Sequence, residues 1–111
     1  MRTLKFIVEG QIIKKDPSCN FDDLVPGTED YLEVEFSFSP EWDNCVKAVT
    51  FGSVLGYTFD SRIMKDGVSC FVPLNATKKR MFTIKIVGRR KGTETYITTN
   101  KITVTQNGGK A

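Results

Sequence analysis

The chain has 111 residues, of which 40% are apolar and 26% charged, and a net charge of +3, as expected for a single globular domain. It contains no histidine, the side chain best suited to proton transfer near neutral pH, and its three cysteines form no C-x-x-C pair of the kind that structural zinc sites use. No apolar run approaches the roughly 20 residues that span a bilayer, and the N-terminus lacks the apolar region of a secretory signal, so we expect no membrane partner.

The first predicted strand covers residues 3–9. Apolar and polar side chains alternate there, and this period of two places Leu4, Phe6 and Val8 on one face. A glycine then predicts a bend, after which pairing continues over residues 11–14.

Residues 15–30 are rich in Asp, Pro, Gly, Asn and Ser, which is typical of turns. Within this loop, Phe21, Leu24 and Val25 predict one short helical turn that caps an open end of the core.

The clearest strand signal is YLEVEFSFS at residues 31–39, where four apolar residues alternate with polar ones. Pro40 ends this strand because it has no N–H to donate. Further strands are predicted at 44–51, as two brief strands within 53–65, at 68–72 and at 81–87, and residues 93–105 are predicted to form a strand pair or one bent strand. Asp66-Gly67 predicts a hairpin turn, Leu74 to Lys79 a helical turn, and Gly88 to Gly92 a hairpin loop.

Seven to nine strands with turns every 8–12 residues, and no helix longer than a turn or two, predict an all-β sandwich or barrel. We expect a single β-sandwich domain at residues 1–106 and a flexible C-terminal tail at 107–111.

Trp42 and the cysteines are candidates for the core. A tryptophan after an apolar strand commonly seals a sandwich, so Trp42 is interpreted as a core plug, with an interface anchor as the alternative. Cys45 and Cys70 lie within apolar strand-like runs and are expected to be small, buried, reduced core residues, with a disulfide or a reactive thiol as the alternative.

Acidic residues cluster at Asp22, Asp23, Glu29 and Asp30. Paired carboxylates can serve glycoside hydrolysis or bind calcium. In a turn-rich loop they more commonly face water and cap short helical turns, which is the interpretation we favour.

Basic residues cluster at Lys78, Lys79 and Arg80, at Lys85, and at Arg89, Arg90 and Lys91. A hairpin over residues 80–92 would bring them together on one edge, as nucleic-acid binding requires. Nucleic acid is not the favoured partner, because alternation places the nearby Phe82 inside. The interpretation we favour is a charged edge that discourages strand pairing, or a docking surface for an acidic protein.

Four segments of the chain resemble a family of small Ig-like β-sandwich domains from tailed phages and prophages of Gram-positive bacteria. The segments are FSFSPEWDNCVKAVTF, DGVSCFVP, FTIKIVGRR and ITTNKITVTQNGG, and the resemblance covers about residues 1–107. It implies an Ig-like antiparallel β-sandwich of about seven to nine strands with one or two short helical turns. It supplies no catalytic residue, cofactor or metal ligand.

The resemblance also implies a function. We expect a non-enzymatic virion structural protein: a multi-copy capsid decoration, head-fibre base or tail/baseplate adaptor that binds other phage structural proteins. The loop at 15–30 and the segment 53–65 are the natural contact regions. The candidate interaction surface comprises Lys78, Lys79, Arg80, Arg89, Arg90, Lys91, Asp22, Asp23 and Tyr57.

Two alternatives remain open. One is a phage-encoded inhibitor of a host system that binds protein or nucleic acid through residues 78–91. The other is a carbohydrate-binding module that uses Tyr31, Tyr57 and Tyr96, although these tyrosines are not clustered in sequence.

Overall fold

A computed structural model describes residues 1–107 of the chain. These residues form nine strands, one short α-helix and a 3-10 helix at Pro40–Trp42. The strands are β1 (Arg2–Glu9), β2 (Ile12–Lys15), β3 (Leu32–Phe38), β4 (Cys45–Gly52), β5 (Thr58–Ile63), β6 (Ser69–Phe71), β7 (Met81–Arg90), β8 (Tyr96–Thr98) and β9 (Ile102–Thr105), and the helix is α1 (Leu74–Thr77).

The strands form two sheets that face each other. One sheet has the order β2-β1-β3-β6, and the other has the order β5-β4-β7-β8, with β9 also paired to β7. The predicted all-β sandwich is confirmed. All strand pairs are antiparallel except β1 and β3, which run parallel in register from Arg2 opposite Leu32 to Val8 opposite Phe38.

The period of two in the sequence accounts for the core. Inward-facing residues of β1, β3, β4, β7 and β9 meet in one hydrophobic cluster that includes Leu4, Phe6, Val8, Val34, Phe36, Val49, Phe51, Phe82, Ile84, Ile86 and Val104. Because burial of apolar area is the main favourable term in folding, this alternation dictates which face of each strand turns inward.

Trp42 seals one end of the sandwich, as expected of a core plug. Its side chain is completely buried, and its Nε1 donates a hydrogen bond of 2.8 Å to the carbonyl oxygen of Gly10. The ring also packs against Phe38, with the ring centroids 5.3 Å apart. We call this end of the molecule, with the 3-10 helix and the β7–β8 turn, the Trp42 end.

The opposite end carries α1, and we call it the α1 end. The starts of β1, β3 and β7 and the ends of β4 and β9 lie here, as the strand registers require. The turn between β4 and β5 (residues 53–57) and the loop at 20–31 also lie at this end, because Gly27 N–H donates to the carbonyl oxygen of Thr77 in α1.

The predicted helical turn at Phe21, Leu24 and Val25 does not form. Arg2 donates instead to the carbonyl oxygens of Asn20, Asp22 and Asp23, which holds the segment in an irregular conformation. Asp23 also has a φ of 60°, which lies outside the right-handed helical region. Leu24 is buried in the core and Phe21 packs against the core, whereas Val25 is exposed and does not cap it.

Three predicted turns or strands differ from the structure. Segment 53–65 contains one strand, β5, where two were expected. Asp66-Gly67 does form a turn, but β5 and β6 belong to different sheets, so the turn carries the chain across the sandwich and makes no hairpin. Gly88, predicted to lie in a hairpin loop, lies within β7 opposite Lys47 and Ile97.

The three cysteines are free thiols. Cys45 is buried, as expected, whereas Cys70 lies on β6 at the edge of its sheet and is only half-buried. Burial raises the pKa of the Cys70 thiol to about 11. Residues 108–111, most of the expected flexible tail, lie outside the described residues.

Candidate interaction surface

The predicted basic residues separate into two groups. Lys78 to Arg80 precede β7, Arg89 and Arg90 end it, and Lys91 follows. Because β7 is a single strand of ten residues, the groups lie at opposite ends of the sandwich, about 30 Å apart at the usual rise per residue. The expectation of one continuous basic edge is therefore wrong.

The basic group at the Trp42 end is tied into the fold. The Arg90 side chain donates from Nη2 to the carbonyl oxygen of Glu41, at 3.2 Å. The backbone N–H of Lys91 donates to the carbonyl oxygen of Asn44, at 2.9 Å. Arg90 therefore helps to hold the β7–β8 turn against the 3-10 helix.

The basic group at the α1 end lies beside β5. Lys79 places its Nζ 5.9 Å from the ring centroid of Phe59. Asn75 in α1 donates to the carbonyl oxygen of Phe59 at 2.8 Å, which anchors the helix to the strand. Lys78, Lys79 and Arg80 are all exposed, so this end presents positive charge to solvent.

The turn between β4 and β5 presents three apolar side chains at the same end of the sandwich as this basic group. Val54, Leu55 and Tyr57 are 50%, 82% and 70% exposed. We call these three residues the apolar tip. The sequence placed Tyr57 and the segment 53–65 among the contact regions, but did not single out Val54 or Leu55; two adjacent apolar residues between Ser53 and Gly56 are the signal that could have found them.

Ser53 fixes the conformation of the apolar tip. Its hydroxyl oxygen accepts from the backbone N–H of Leu55 at 3.0 Å and from that of Tyr57 at 3.1 Å. Its own N–H donates to the carbonyl oxygen of Tyr57 at 2.7 Å. Gly56 supplies the positive φ of 103° that closes the turn. The Ser53 hydroxyl and the backbone of the turn together define the conformation of the apolar tip.

Asp22 and Asp23 lie in the 20–31 loop, also at the α1 end. Both side chains are exposed, while their backbone carbonyl oxygens accept hydrogen bonds from Arg2. Six of the nine predicted interaction residues thus lie at the α1 end: Asp22, Asp23, Tyr57, Lys78, Lys79 and Arg80. The other three, Arg89, Arg90 and Lys91, lie at the Trp42 end.

The α1 end also contains a pocket of about 250 Å³ between the 20–31 loop and the end of β9. Over residues 1–107, carboxylates and thiols form no group of three that could hold a metal ion. Within the same part of the chain, no helix has the length and apolar character to cross a membrane.

Comparison of the chain with protein-family models, with curated proteins and with solved structures finds no significant match.

Proposed function

We propose that the protein is a non-enzymatic structural component of a tailed-phage particle that docks onto another virion protein through the α1 end. The observation that carries the docking surface is the apolar tip, where Val54, Leu55 and Tyr57 are exposed on a turn that hydrogen bonds to Ser53 organise. The assignment to a phage particle rests on the sequence resemblance.

The apolar tip has the properties of a binding hot spot. Leu55 is a large apolar side chain that is four-fifths exposed, so its burial by a partner makes the free energy of binding more favourable. Because the turn is already ordered by backbone hydrogen bonds, less conformational entropy is lost on binding. Tyr57 adds a residue type that is enriched among hot spots.

The charge beside the apolar tip indicates the chemistry of the partner. Lys78, Lys79 and Arg80 lie at the same end of the sandwich as the apolar tip and make no salt bridge among the described residues. A partner with an apolar recess and an acidic rim complements this arrangement and is steered toward it by the field of the lysines. Copies on a symmetric particle need only modest individual affinity, because an attachment made at several points gains from avidity.

The test uses purified particles of the phage that encodes the chain. Mass spectrometry should detect the protein as a multi-copy component. Leu55→Asp should lower the number of copies per particle about tenfold or more, because a charge then has to be buried in the interface. Tyr96→Ser is the matched control, since Tyr96 is 64% exposed but lies at the Trp42 end.

Two results would contradict the proposal. Absence of the parental protein from particles removes the virion assignment. Incorporation of Leu55→Asp at the parental level, with its urea unfolding unchanged, removes the apolar tip as the docking site.

The two alternatives lose part of their geometric basis. An inhibitor acting through residues 78–91 would need one basic surface, and β7 separates the two groups. A carbohydrate platform of the three tyrosines would need them on one surface, and Tyr31 and Tyr57 lie at the α1 end whereas Tyr96 lies at the Trp42 end.

A further inference from the structure

The outer edge of β9 carries backbone groups without partners. β9 pairs with β7 on one side, and no other strand of the described residues pairs with it. The N–H of Gln106 donates to the carbonyl oxygen of Arg80, so alternate residues from Gln106 back along β9 turn their backbone groups toward β7. The N–H and C=O groups of Thr103 and Thr105 therefore point away from the sheet. Both residues are exposed, and within residues 1–107 no hydrogen bond reaches these four groups.

The other edge strands are capped by side chains. In each of them a side chain bonds an outward backbone group, at 2.8 to 3.1 Å: Ile13 in β2 by Asn100, Ser61 in β5 by Asp60, Ser69 in β6 by Asp66, and Thr98 in β8 by Gln11. Such caps discourage pairing with another chain, because a bonded group is no longer available to it.

The sequence of β9 also contains nothing that deters pairing. Its four residues, ITVT, include no charge, proline or glycine, and all four are β-branched, which favours an extended strand. The alternating donors and acceptors of its outer edge are complementary to the backbone of another extended strand. β9 is therefore the edge of the sandwich that is open to the addition of a strand.

A second copy of β9 complements this edge. When two β9 strands run antiparallel about a two-fold axis at Val104, Thr103 of each copy lies opposite Thr105 of the other. Each of these two residue pairs exchanges two backbone hydrogen bonds, so every outward group of Thr103 and Thr105 in both copies gains a partner. The side chains brought side by side are threonines, which carry no charge to repel one another and pair favourably across strands.

We propose that two copies of this chain associate through β9, which joins their five-stranded sheets into one continuous sheet. Only four backbone hydrogen bonds form, so we expect a weak dimer with a dissociation constant on the order of 100 µM. The proposal goes beyond virion assembly, because it concerns contact between copies through a strand edge and does not involve the apolar tip.

The first test measures self-association of the full chain. In sedimentation equilibrium the mass should approach twice that of the monomer at about 1 mM protein and return to that of the monomer at about 10 µM. Amide hydrogen exchange followed by NMR should show slow exchange at Thr103 and Thr105 only in the concentrated sample. The N–H of Val104 faces β7 and should exchange slowly at both concentrations, which makes it the internal control.

The second test introduces charge on β9. The double variant Thr103→Lys, Thr105→Lys places lysine opposite lysine and should weaken the dimer about tenfold or more. The variant Thr103→Glu, Thr105→Glu should do the same, and an equimolar mixture of the two should recover dimers, because each lysine then faces a glutamate. Ser61→Lys with Ile63→Lys is the matched control, since both residues are exposed and lie two apart on β5, the other edge of the same sheet.

A parental chain that stays monomeric at about 1 mM overturns the proposal, and is the result expected if β9 pairs only with a different polypeptide. Dimers that survive the two lysines on β9, or that are lost equally in the β5 control, overturn it because the contact then lies elsewhere. A mixture of the lysine and glutamate variants that stays monomeric overturns it as well. Because the readout is made on the isolated protein, failure here is distinct from failure of the virion proposal.

Discussion

Gly88 has no side chain, and its position beside the buried ring of Trp42 requires this. A Cβ at this position would lie 2.7 Å from Cζ3 and 2.9 Å from Cε3 of Trp42, and 3.3 Å from Cγ2 of Ile97. Contacts under 3.0 Å cannot be accommodated unless something moves, and the Trp42 ring is completely buried. Gly88 is therefore required by close packing inside a strand.

Replacing Gly88 with alanine tests this constraint. We expect Gly88→Ala to lower the free energy of unfolding by about 1–3 kcal/mol, because overpacking forces the ring or β7 to shift. In the double variant with Trp42→Phe, the smaller ring removes the clash. The double variant should therefore lose less unfolding free energy than the sum of the losses in the two single variants. Urea unfolding measures both, and an unchanged Gly88→Ala variant would show that the ring moves freely.

At the scale of elements, the turn between β5 and β6 carries the chain from one sheet to the other. Asp66 organises it: Oδ1 accepts from the N–H of Val68 at 2.9 Å and of Ser69 at 2.8 Å. Hydrogen bonds to the carboxylate lower the pKa of Asp66. The bond from the hydroxyl of Ser69 contributes most, followed by the bonds from the two backbone N–H groups. Gly67 supplies a φ of 80°.

This lowered pKa predicts a pH dependence of stability. A carboxyl whose pKa is lower in the folded chain stabilises the fold above its unfolded pKa of about 3.9, and this contribution is lost as the pH falls through the folded pKa. The urea midpoint of the parent should therefore fall as the pH is lowered from about 5 through the folded-state pKa of Asp66, and that of Asp66→Asn should fall less. Asp22→Asn, at an exposed loop position, is the control and should behave as the parent does. Identical pH profiles for Asp66→Asn and the parent would contradict the prediction.

The elements also show what the sequence could predict. Alternation identified the inward faces of β1, β3 and β7 because burial forces apolar residues onto one face of a strand. The Asp66-Gly67 signal predicted a chain reversal, but a turn motif does not encode whether the next strand joins the same sheet. The shape of the 20–31 loop depends on Arg2, whose partners are 18 to 21 residues away, beyond any local pattern.

At the scale of the whole molecule, the candidate site was predicted in part. Sequence composition identified the charged groups and the segment 53–65. The distance between the two basic groups depends on the length of β7, which was expected to end at residue 87 and continues to Arg90. The pocket at Gln106 could not be predicted, because its walls come from the 20–31 loop, β3 and the end of β9. Such a site exists only once the two sheets have closed.

The two lateral sides of the sandwich are closed in different ways. On one side, the side-chain oxygen of Asn100, between β8 and β9, accepts from the N–H of Ile13 in β2 at 2.8 Å. On the other, Arg62 in β5 reaches the carbonyl oxygen of Phe71 in β6 at 3.5 Å and pairs with Asp60 at 3.4 Å. The Asn100–Ile13 hydrogen bond is half-buried, because Asn100 is exposed but Ile13 is only 2% exposed, whereas the Arg62 and Asp60 side chains are 41% and 40% exposed.

These differences predict which closure matters more for stability. Asn100→Ala leaves the N–H of Ile13 without an acceptor next to the core, which should cost about 1–3 kcal/mol of unfolding free energy. Arg62→Ala removes long contacts that solvent screens, and should cost less than about 1 kcal/mol. Asn100→Asp keeps an acceptor oxygen in place and should recover much of the loss, which separates the hydrogen bond from the volume of the side chain. Urea unfolding at neutral pH ranks the three variants by their free energy of unfolding. A larger loss for Arg62→Ala than for Asn100→Ala would contradict the prediction and would mean that the contact between β5 and β6 stabilises the sandwich more.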